Sequence, residues 1–236
     1  MVMTDQLDLK ARPDNSAEDA LPLPLGTVIY ESLTCKFISF ERMLESLGET
    51  RYSGFVRIAA PRANGVLLFR EGTVLDCIHR GDEGLISGSP ALTSIERHVA
   101  AGSGVIDVVG VSSELVDGLH HLASGVATYP ELRASWINAP GLVRFLSEAG
   151  FTGAISIRTK AAAGVIMIAA GVVTGAFTTE SREMGSDPEV VLNLCSDPNA
   201  QIEVRASRAQ PEAVAPGADE WAANRAGAEM LVAETS

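Results

Sequence analysis

Residues that could perform acid–base or metal chemistry are few and widely spaced in this sequence. Cys77 and His79 form a Cys-x-His pair, which can supply two metal ligands. A zinc site needs about four ligands, usually in two short pairs, and the sequence contains no second pair of this kind. We therefore predict no metal site and interpret His79 as a solvated histidine at the end of a strand. His120 and His121 fall near the end of a predicted helix, where the helix dipole favours a protonated imidazole.

The glycine-rich segments do not match a nucleotide site. A phosphate cradle requires GxxxxGK[ST], or GxGxxG between a strand and a helix. The five glycines between Gly81 and Gly104 fit neither pattern, and no lysine follows them. The segment from Gly84 to Gly88 also lacks the G-x-S-x-G spacing of a nucleophile elbow. We therefore predict no catalytic residue and no cofactor, and a protein that is not an enzyme.

The charge balance limits the class of partner. The formal net charge is −12, and a surface of this sign repels phosphate backbones, so we expect no nucleic-acid partner. Basic or uncharged protein surfaces remain open. The three cysteines form no CxxC pair and lie in or beside apolar runs, which is typical of reduced thiols. Since residues 1–15 contain no apolar segment of a signal peptide, the sequence predicts a cytoplasmic protein.

An internal duplication organises the chain. Apolar and glycine positions recur at a constant offset of 99 residues, for example Tyr30 with Tyr129 and Gly72 with Gly171. The match continues without a gap for about fifty residues, which predicts two copies of one structural unit. Further matched pairs are Leu33 with Leu132, Phe37 with Trp136, Gly65 with Gly164, and Val74 with Val173.

Each copy has the same order of predicted elements. Residues Phe40 to Leu47 carry apolar side chains at the i, i+3, i+4, i+7 spacing of an amphipathic helix. Three strands follow, with a tight turn at Glu71-Gly72. Ser89-Pro90 begins a second helix, and Val105 to Val109 form a last strand. We therefore predict an α+β fold of two tandem repeats, each helix–three-stranded meander–helix–strand, related by a pseudo-twofold axis.

The predicted boundaries follow from composition. We expect a flexible N-terminal arm over residues 1–24, repeat 1 over 25–111, a connecting helix over 112–124, repeat 2 over 125–206, and a flexible tail with a short helix over 207–236.

One uncharged stretch, residues 161–179, is almost long enough to cross a bilayer. Its counterpart 99 residues earlier contains Arg70, Glu71 and Asp76. Because homologous units share a fold, we interpret the stretch as a buried β-hairpin around Gly171 and expect no membrane span.

The glycine and apolar spacing carries a family resemblance. The motif residues are Ser53-Gly54, Gly65-Val66, Gly72, Val74 and Cys77, and again Thr152-Gly153, Gly164-Val165, Gly171, Val173 and Ala176. Followed by a helix and a strand, this pattern resembles the PATAN-type domain of bacterial signalling proteins, over roughly residues 26–206. The resemblance implies an interaction role, because the family is not known to carry a catalytic constellation. No receiver-domain aspartate cluster or GTPase loop accompanies it here.

Five apolar residues are candidates for partner binding. Leu85 and Ile86 in the first copy and Met184 in the second lie in the loops that follow the third strand. These loops form either one recognition edge or plain connections. Trp221 and Leu231 would lie on one face of a short helix over residues 219–233 in the tail. This segment is expected either to dock on this protein or stay disordered, or to bind a partner as a helix-in-groove ligand.

The function expected from the sequence is non-enzymatic protein–protein interaction inside the cell, in bacterial signalling or cell organisation. One alternative is a small-ligand sensor or enzyme with a pocket between the repeats. Another is a structural protein that self-assembles through exposed strand edges. The sequence leaves the oligomeric state undetermined.

Overall fold

The computed structural model describes residues 21–61, 63–82 and 84–207. This part of the chain is mostly β-structure, organised as two antiparallel sheets with five short helices. The elements are β1 (Thr27–Thr34), α1 (Phe40–Glu49), β2 (Gly54–Ala60), β3 (Ala63–Arg70), β4 (Thr73–Gly81), β5 (Gly84–Ser87), α2 (Ser89–Ala100), β6 (Val105–Gly110), α3 (Ser113–Ser124), β7 (Val126–Arg133), α4 (Ala139–Glu148), β8 (Gly153–Arg158), β9 (Ala163–Ala169), β10 (Val172–Thr178), α5 (Glu189–Leu192) and β11 (Gln201–Ala206).

The two sheets have corresponding strand orders. The first sheet runs β1-β6-β2-β3-β4-β5 and the second runs β7-β11-β8-β9-β10. In each, the last strand of the copy inserts between the first strand and the hairpin, pairing with both. The short strand β5 corresponds in the second sheet to a single bridge between Ala176 and Gly185. The copies therefore share one topology and differ at this margin.

The predicted α+β fold of helix–meander–helix–strand repeats is wrong. Each unit is an antiparallel sheet of five or six strands with short helices, and the arrangement is β-sandwich-like. The prediction missed β1 and β7, because nearly every residue in both strands is exposed and no buried face marks them in the sequence. It also assigned β5 to a loop, since a strand of four residues is too short to show a period.

The side chains of the strands alternate between two apolar layers, as the pleat of a sheet requires. In β3, Val66 and Leu68 face a core shared by both sheets, whereas Leu67 and Phe69 face the core beneath α1 and α2. The second sheet repeats the arrangement, with α4 and α5 over its outer face. The shared core holds α3, so this helix lies between the two sheets.

Local chemistry explains why α3 forms and why it is buried. The Ser112 hydroxyl caps the helix by accepting a hydrogen bond from the Leu115 backbone N–H at 3.3 Å. Leu115, Val116, Leu119 and Leu122 are all almost fully buried, and their spacing makes one broad apolar stripe. Between the described sheets, the space is thus occupied by a packed helix.

The end of the predicted N-terminal arm is part of this core. Leu21 is 1% exposed and Leu23 is 7% exposed, and both pack in the core that contains α3. The backbone N–H of Leu25 donates to the carbonyl of Ser181 at 2.9 Å. This segment therefore joins the first sheet to the second before β1 begins.

The uncharged stretch 161–179 contains the predicted hairpin. Strands β9 and β10 pair antiparallel, and Gly171 at the turn has φ +80°, where a Cβ atom would clash with the carbonyl of Ser147. Glycine is the residue that adopts this conformation at low cost. Over the described ranges, every helix is too short or too polar to cross a membrane.

Candidate interaction surface

The apolar loop residues singled out in the sequence occupy three different environments. Leu85 is half exposed on β5, and Ile86 is partly buried against the core beneath α2. Met184 is partly buried against the shared core, where its side chain lies over Gly118 and Gly175. Of these three residues, Leu85 alone is exposed. Trp221 and Leu231 lie outside the described residues.

The histidines are structural groups rather than parts of one site. His120 Nδ1 lies 3.2 Å from Asp76 Oδ2 on the first sheet, and His121 Nδ1 lies 3.3 Å from the Ser207 hydroxyl after β11. The end of α3 is thus tied to both sheets. Across the described ranges, no group of three or more His, Cys, Asp or Glu side chains could hold a metal ion.

His79 is not a solvated strand-end residue as predicted, because β4 continues past it to Gly81. Its side chain is 6% exposed and stacks on His98 with ring centroids 5.2 Å apart. The Nε2 atom has no hydrogen-bond partner within the described chain. Burial, together with the neighbouring His98 and Arg97 charges, lowers the pKa of His79 from its ordinary value of 6.5.

This lowered pKa predicts a loss of stability at acidic pH. Below about 6.5 the unfolded chain binds a proton at His79 more readily than the folded chain does, so the free energy of unfolding decreases as pH falls. Urea unfolding between about pH 7.5 and about pH 5 measures the slope, which His79→Gln should reduce. His121, whose pKa is also lowered by burial, should add to the slope in the same direction. An unchanged slope in His79→Gln would contradict the assignment.

The most unusual surface of the molecule lies at the first strand of each sheet. Every residue of β1 except Leu33 is exposed, and every residue of β7 except Leu132 is exposed. In the described chain β1 pairs with β6 alone and β7 pairs with β11 alone. The exposed apolar side chains on these strands are Val28 (54%), Ile29 (46%) and Tyr30 (52%) in β1, and Val126 (52%) and Tyr129 (40%) in β7.

An aromatic side chain extends each edge beyond its strand. Phe37 is 80% exposed and Trp136 is 67% exposed, and each ends a short 3₁₀ helix that follows the edge strand. The Arg133 guanidinium lies 5.6 Å from the centre of the Trp136 ring, a cation–π contact that holds the ring in place. Together with the exposed apolar side chains of β1 and β7, these rings form two surfaces, which we call edge 1 (Val28, Ile29, Tyr30, Phe37) and edge 2 (Val126, Tyr129, Trp136).

Both edge strands are irregular at the same two places. The register of β1 shifts between Val28 and Tyr30 and again, at a bulge, between Tyr30 and Leu33. The register of β7 shifts between Ala127 and Tyr129 and again, at the corresponding bulge, between Tyr129 and Leu132. Ser32 and its counterpart Glu131 both have positive φ, at 56° and 59°. Since non-glycine residues adopt this conformation rarely, its occurrence in both copies marks the bulge as a property of the unit.

A partly buried ion pair supports the bulge of β1. Asp107 is 7% exposed, and its Oδ1 accepts the Ser32 backbone N–H at 2.7 Å. Its Oδ2 accepts Nε and Nη2 of Arg57 at 3.0 and 2.6 Å. In the second sheet Glu203 accepts Arg205 Nε at 2.9 Å, with about a quarter of each side chain exposed. The carboxylate thus shapes the strand that carries edge 1.

Replacing Asp107 with asparagine is expected to lower the free energy of unfolding by about 1–3 kcal/mol, because Arg57 and the bulge N–H lose their charged acceptor. The pair is partly open at Arg57, which is 31% exposed, so solvent screening keeps the loss below that of a fully buried pair. Urea unfolding measures the change. Glu203→Gln is the matched control, expected to cost less than about 1 kcal/mol; equal losses in both variants would contradict this reading.

The two edges lie on different sides of the molecule. The hydrogen bond from Leu25 to Ser181 places the start of β1 beside the end of β10. In the second sheet β10 is the margin opposite β7. Edge 1 and edge 2 are therefore separated by the width of a sheet, and each can meet a different surface.

These features define a class: an antiparallel two-sheet protein with a helix between the sheets and two corresponding exposed sheet edges. Residues 21–123 match a family model, DUF2226, which is described as an uncharacterized protein conserved in archaea. The matched range covers the six strands of the first sheet and all but the last residue of α3. No curated protein and no solved structure matches the chain.

The resemblance to the PATAN-type domain is wrong, since the family match is to DUF2226 and carries no indication of bacterial signalling. The glycines behind that resemblance have local steric causes. A Cβ atom at Gly65 would overlap the Ile95 side chain, and one at Gly72 would overlap the carbonyl of Gly48. A hairpin packed under a helix imposes such spacing in many folds, so the pattern does not identify one family.

Sequence reasoning missed the two edges although a signal was present. Tyr30 and Tyr129, and Phe37 and Trp136, recur at the 99-residue offset in a segment without a buried face. Duplicated aromatic residues that no core position requires are the pattern that could have indicated a surface role.

Proposed function

We propose that this protein is a non-enzymatic protein–protein interaction module that binds partners through edge 1 and edge 2. The observation that carries the proposal is the exposure of corresponding aromatic and aliphatic side chains on the outermost strand of both sheets. The expected setting in bacterial signalling depended on the PATAN resemblance, so the proposal is limited to the interaction role.

The disadvantage of leaving an apolar sheet edge exposed supports the proposed interaction role. Apolar side chains and unpaired backbone groups at a sheet edge promote unwanted association, and proteins usually cover or charge such edges. Both edge strands carry bulges and an exposed glutamate, Glu31 or Glu131, yet edge 1 and edge 2 also keep tyrosine together with phenylalanine or tryptophan. Aromatic residues are enriched at the centres of protein interfaces. An edge that retains these residues in both copies is best explained by a partner that covers them.

The two alternatives have less support. A ligand pocket between the repeats would need open space where α3 and its apolar neighbours are packed. Self-assembly through the edges is opposed by the net charge of −12, which makes copies repel. The bulges and Pro130 within β7 also shorten the length over which two edges could pair. Sedimentation velocity separates this case, because self-assembly predicts species that grow with concentration.

Site-specific photo-crosslinking tests the proposal. A photo-reactive phenylalanine analogue is placed at Tyr30, at Tyr129 or, as a control, at Phe145, which is 57% exposed on α4. Irradiation in native lysate should give discrete protein adducts from the two edge positions and none from the control. The captured protein is then purified, and its affinity for the full chain is measured by calorimetry.

The proposal requires that the purified partner bind the unmodified chain. Equal adducts from all three positions, or a captured protein without measurable affinity, would overturn it. A correctly folded chain that yields only adducts with itself would favour the self-assembling alternative.

A further inference from the structure

We propose that the ligand of edge 1 is an extended peptide segment with basic side chains, which adds to the first sheet as a strand outside β1. This inference rests on the proposed function and specifies the partner's chemistry. A peptide that adds to a sheet as a strand gains affinity from its backbone hydrogen bonds and specificity from every second side chain.

The geometry of β1 suits an added strand. It lies at the margin of its sheet, paired on one side with β6 in the described chain. Both faces of the sheet are uncovered there. Val28 pairs with Val109 and Tyr30 with Val108, and because these neighbours in β6 point to opposite faces, Val28 and Tyr30 also lie on opposite faces. Each side chain of an added strand, whichever face it points to, would therefore meet an apolar cross-strand neighbour.

The bulge sets the length of the ligand. The register of β1 shifts between Val28 and Tyr30 and again between Tyr30 and Leu33, and Ser32 has a positive φ of 56°. The residues before Ser32, Thr27 to Glu31, are therefore the segment available to an added strand. A strand added here has a short segment on which to pair before the bulge turns the edge away. This limit favours a short linear segment over the long edge of another folded sheet.

Charge selects the type of side chain. The chain carries 30 acidic and 18 basic residues, and Glu31 is exposed within β1. A peptide with lysine or arginine at its polar positions is attracted to this surface, whereas an acidic peptide is repelled.

The second copy supplies a natural contrast. Pro130 in β7 occupies the position that Glu31 occupies in β1, at the offset of 99 residues. Proline has no backbone N–H, so β7 lacks one donor that β1 retains. Because the second copy carries this proline and has the same topology as the first, the unit can fold without a backbone donor at this position. We therefore expect edge 1 to bind an added peptide strand more tightly than edge 2 does.

The experiment uses the full chain, labelled with ¹⁵N, and the synthetic peptide acetyl-Lys-Val-Lys-Val-Lys-Val-amide, with the Glu-Val counterpart as the charge control. Binding is followed by NMR chemical shifts and by fluorescence anisotropy of the labelled peptide. We expect the basic peptide to shift the amide signals of residues 27–31, and the acidic peptide to leave them unchanged. Glu31→Pro should weaken binding about tenfold, the effect of one lost hydrogen bond.

Two further variants separate the effect of losing the backbone N–H from the effect of losing the charge and from the effect of misfolding. Glu31→Gln removes the charge but keeps the N–H, so it should bind more tightly than Glu31→Pro. Pro130→Glu adds the missing donor to β7 and should produce new shifts over residues 126–130, a gain that loss of folding cannot imitate. Equal binding by the Gln and Pro variants, equal binding of both peptides, or no shifts in β1 would each overturn the inference. If the peptide-binding results fail in this way while crosslinking at Tyr30 persists, the partner presents a folded surface to edge 1, and the proposed function still stands.

Discussion

Replacing Leu119 with alanine is expected to lower the free energy of unfolding by about 3–5 kcal/mol, a large effect for one substitution. Leu119 is fully buried near the middle of α3, in the core that both sheets share. Because packed sheets flank the helix, the neighbouring side chains can collapse only partly into the cavity, and incomplete collapse makes truncation costly.

Urea unfolding followed by circular dichroism measures this loss. The matched control is Leu85→Ala, which removes the same atoms from a side chain that is half exposed and should cost less than about 1 kcal/mol. Since α3 packs against both sheets, the variant should still unfold in one transition. A loss below about 1 kcal/mol for Leu119→Ala would show that the helix is not enclosed as described.

The second large effect is expected on binding. Tyr30→Ala should weaken the affinity of the partner captured at edge 1 by about thirtyfold, equivalent to about 2 kcal/mol. The ring lies at the centre of edge 1 and is 52% exposed in the free chain, so a partner can bury much of it. Stability should change by less than about 0.5 kcal/mol, because this ring is not part of a core cluster.

Isothermal titration calorimetry with the purified partner tests this prediction. Tyr129→Ala is the matched variant on edge 2, and it should leave binding at edge 1 intact if the two edges act independently. Phe145→Ala, on α4, controls for the loss of an exposed aromatic ring elsewhere. Loss of affinity in the Phe145 variant, or none in the Tyr30 variant, would place the interaction away from the edge strands.

Parts of the architecture that bury one face could be predicted from the sequence. The amphipathic stripe from Phe40 to Leu47 corresponds to α1, and the glycine at the turn of each hairpin lies where φ is positive, as at Gly72 and Gly171. The prediction of no membrane span agrees with the described helices. These features are local, because periodicity and turn chemistry depend on neighbours in the chain.

The candidate surface could not be predicted in the same way. Leu85, Ile86 and Met184 look alike as apolar residues in charged loops, yet the first is half exposed and the other two are partly buried. Tyr30 and Tyr129 were visible as a matched pair, but pairing alone does not say whether a residue faces solvent. Exposure depends on which element covers a position, and that element is usually distant in the chain.

The sequence by itself determined the recurrence of residues at an offset of 99, the acidic charge and the lack of nucleotide and nucleophile motifs. Each follows from residue types and their spacing. Tertiary structure alone decided that α3 would fill the space between two sheets, that His79 would be buried against His98, and that β1 and β7 would remain uncovered. The physical reason is that a strand exposed on both faces has no hydrophobic period, whereas a buried face is created only when remote segments pack against it.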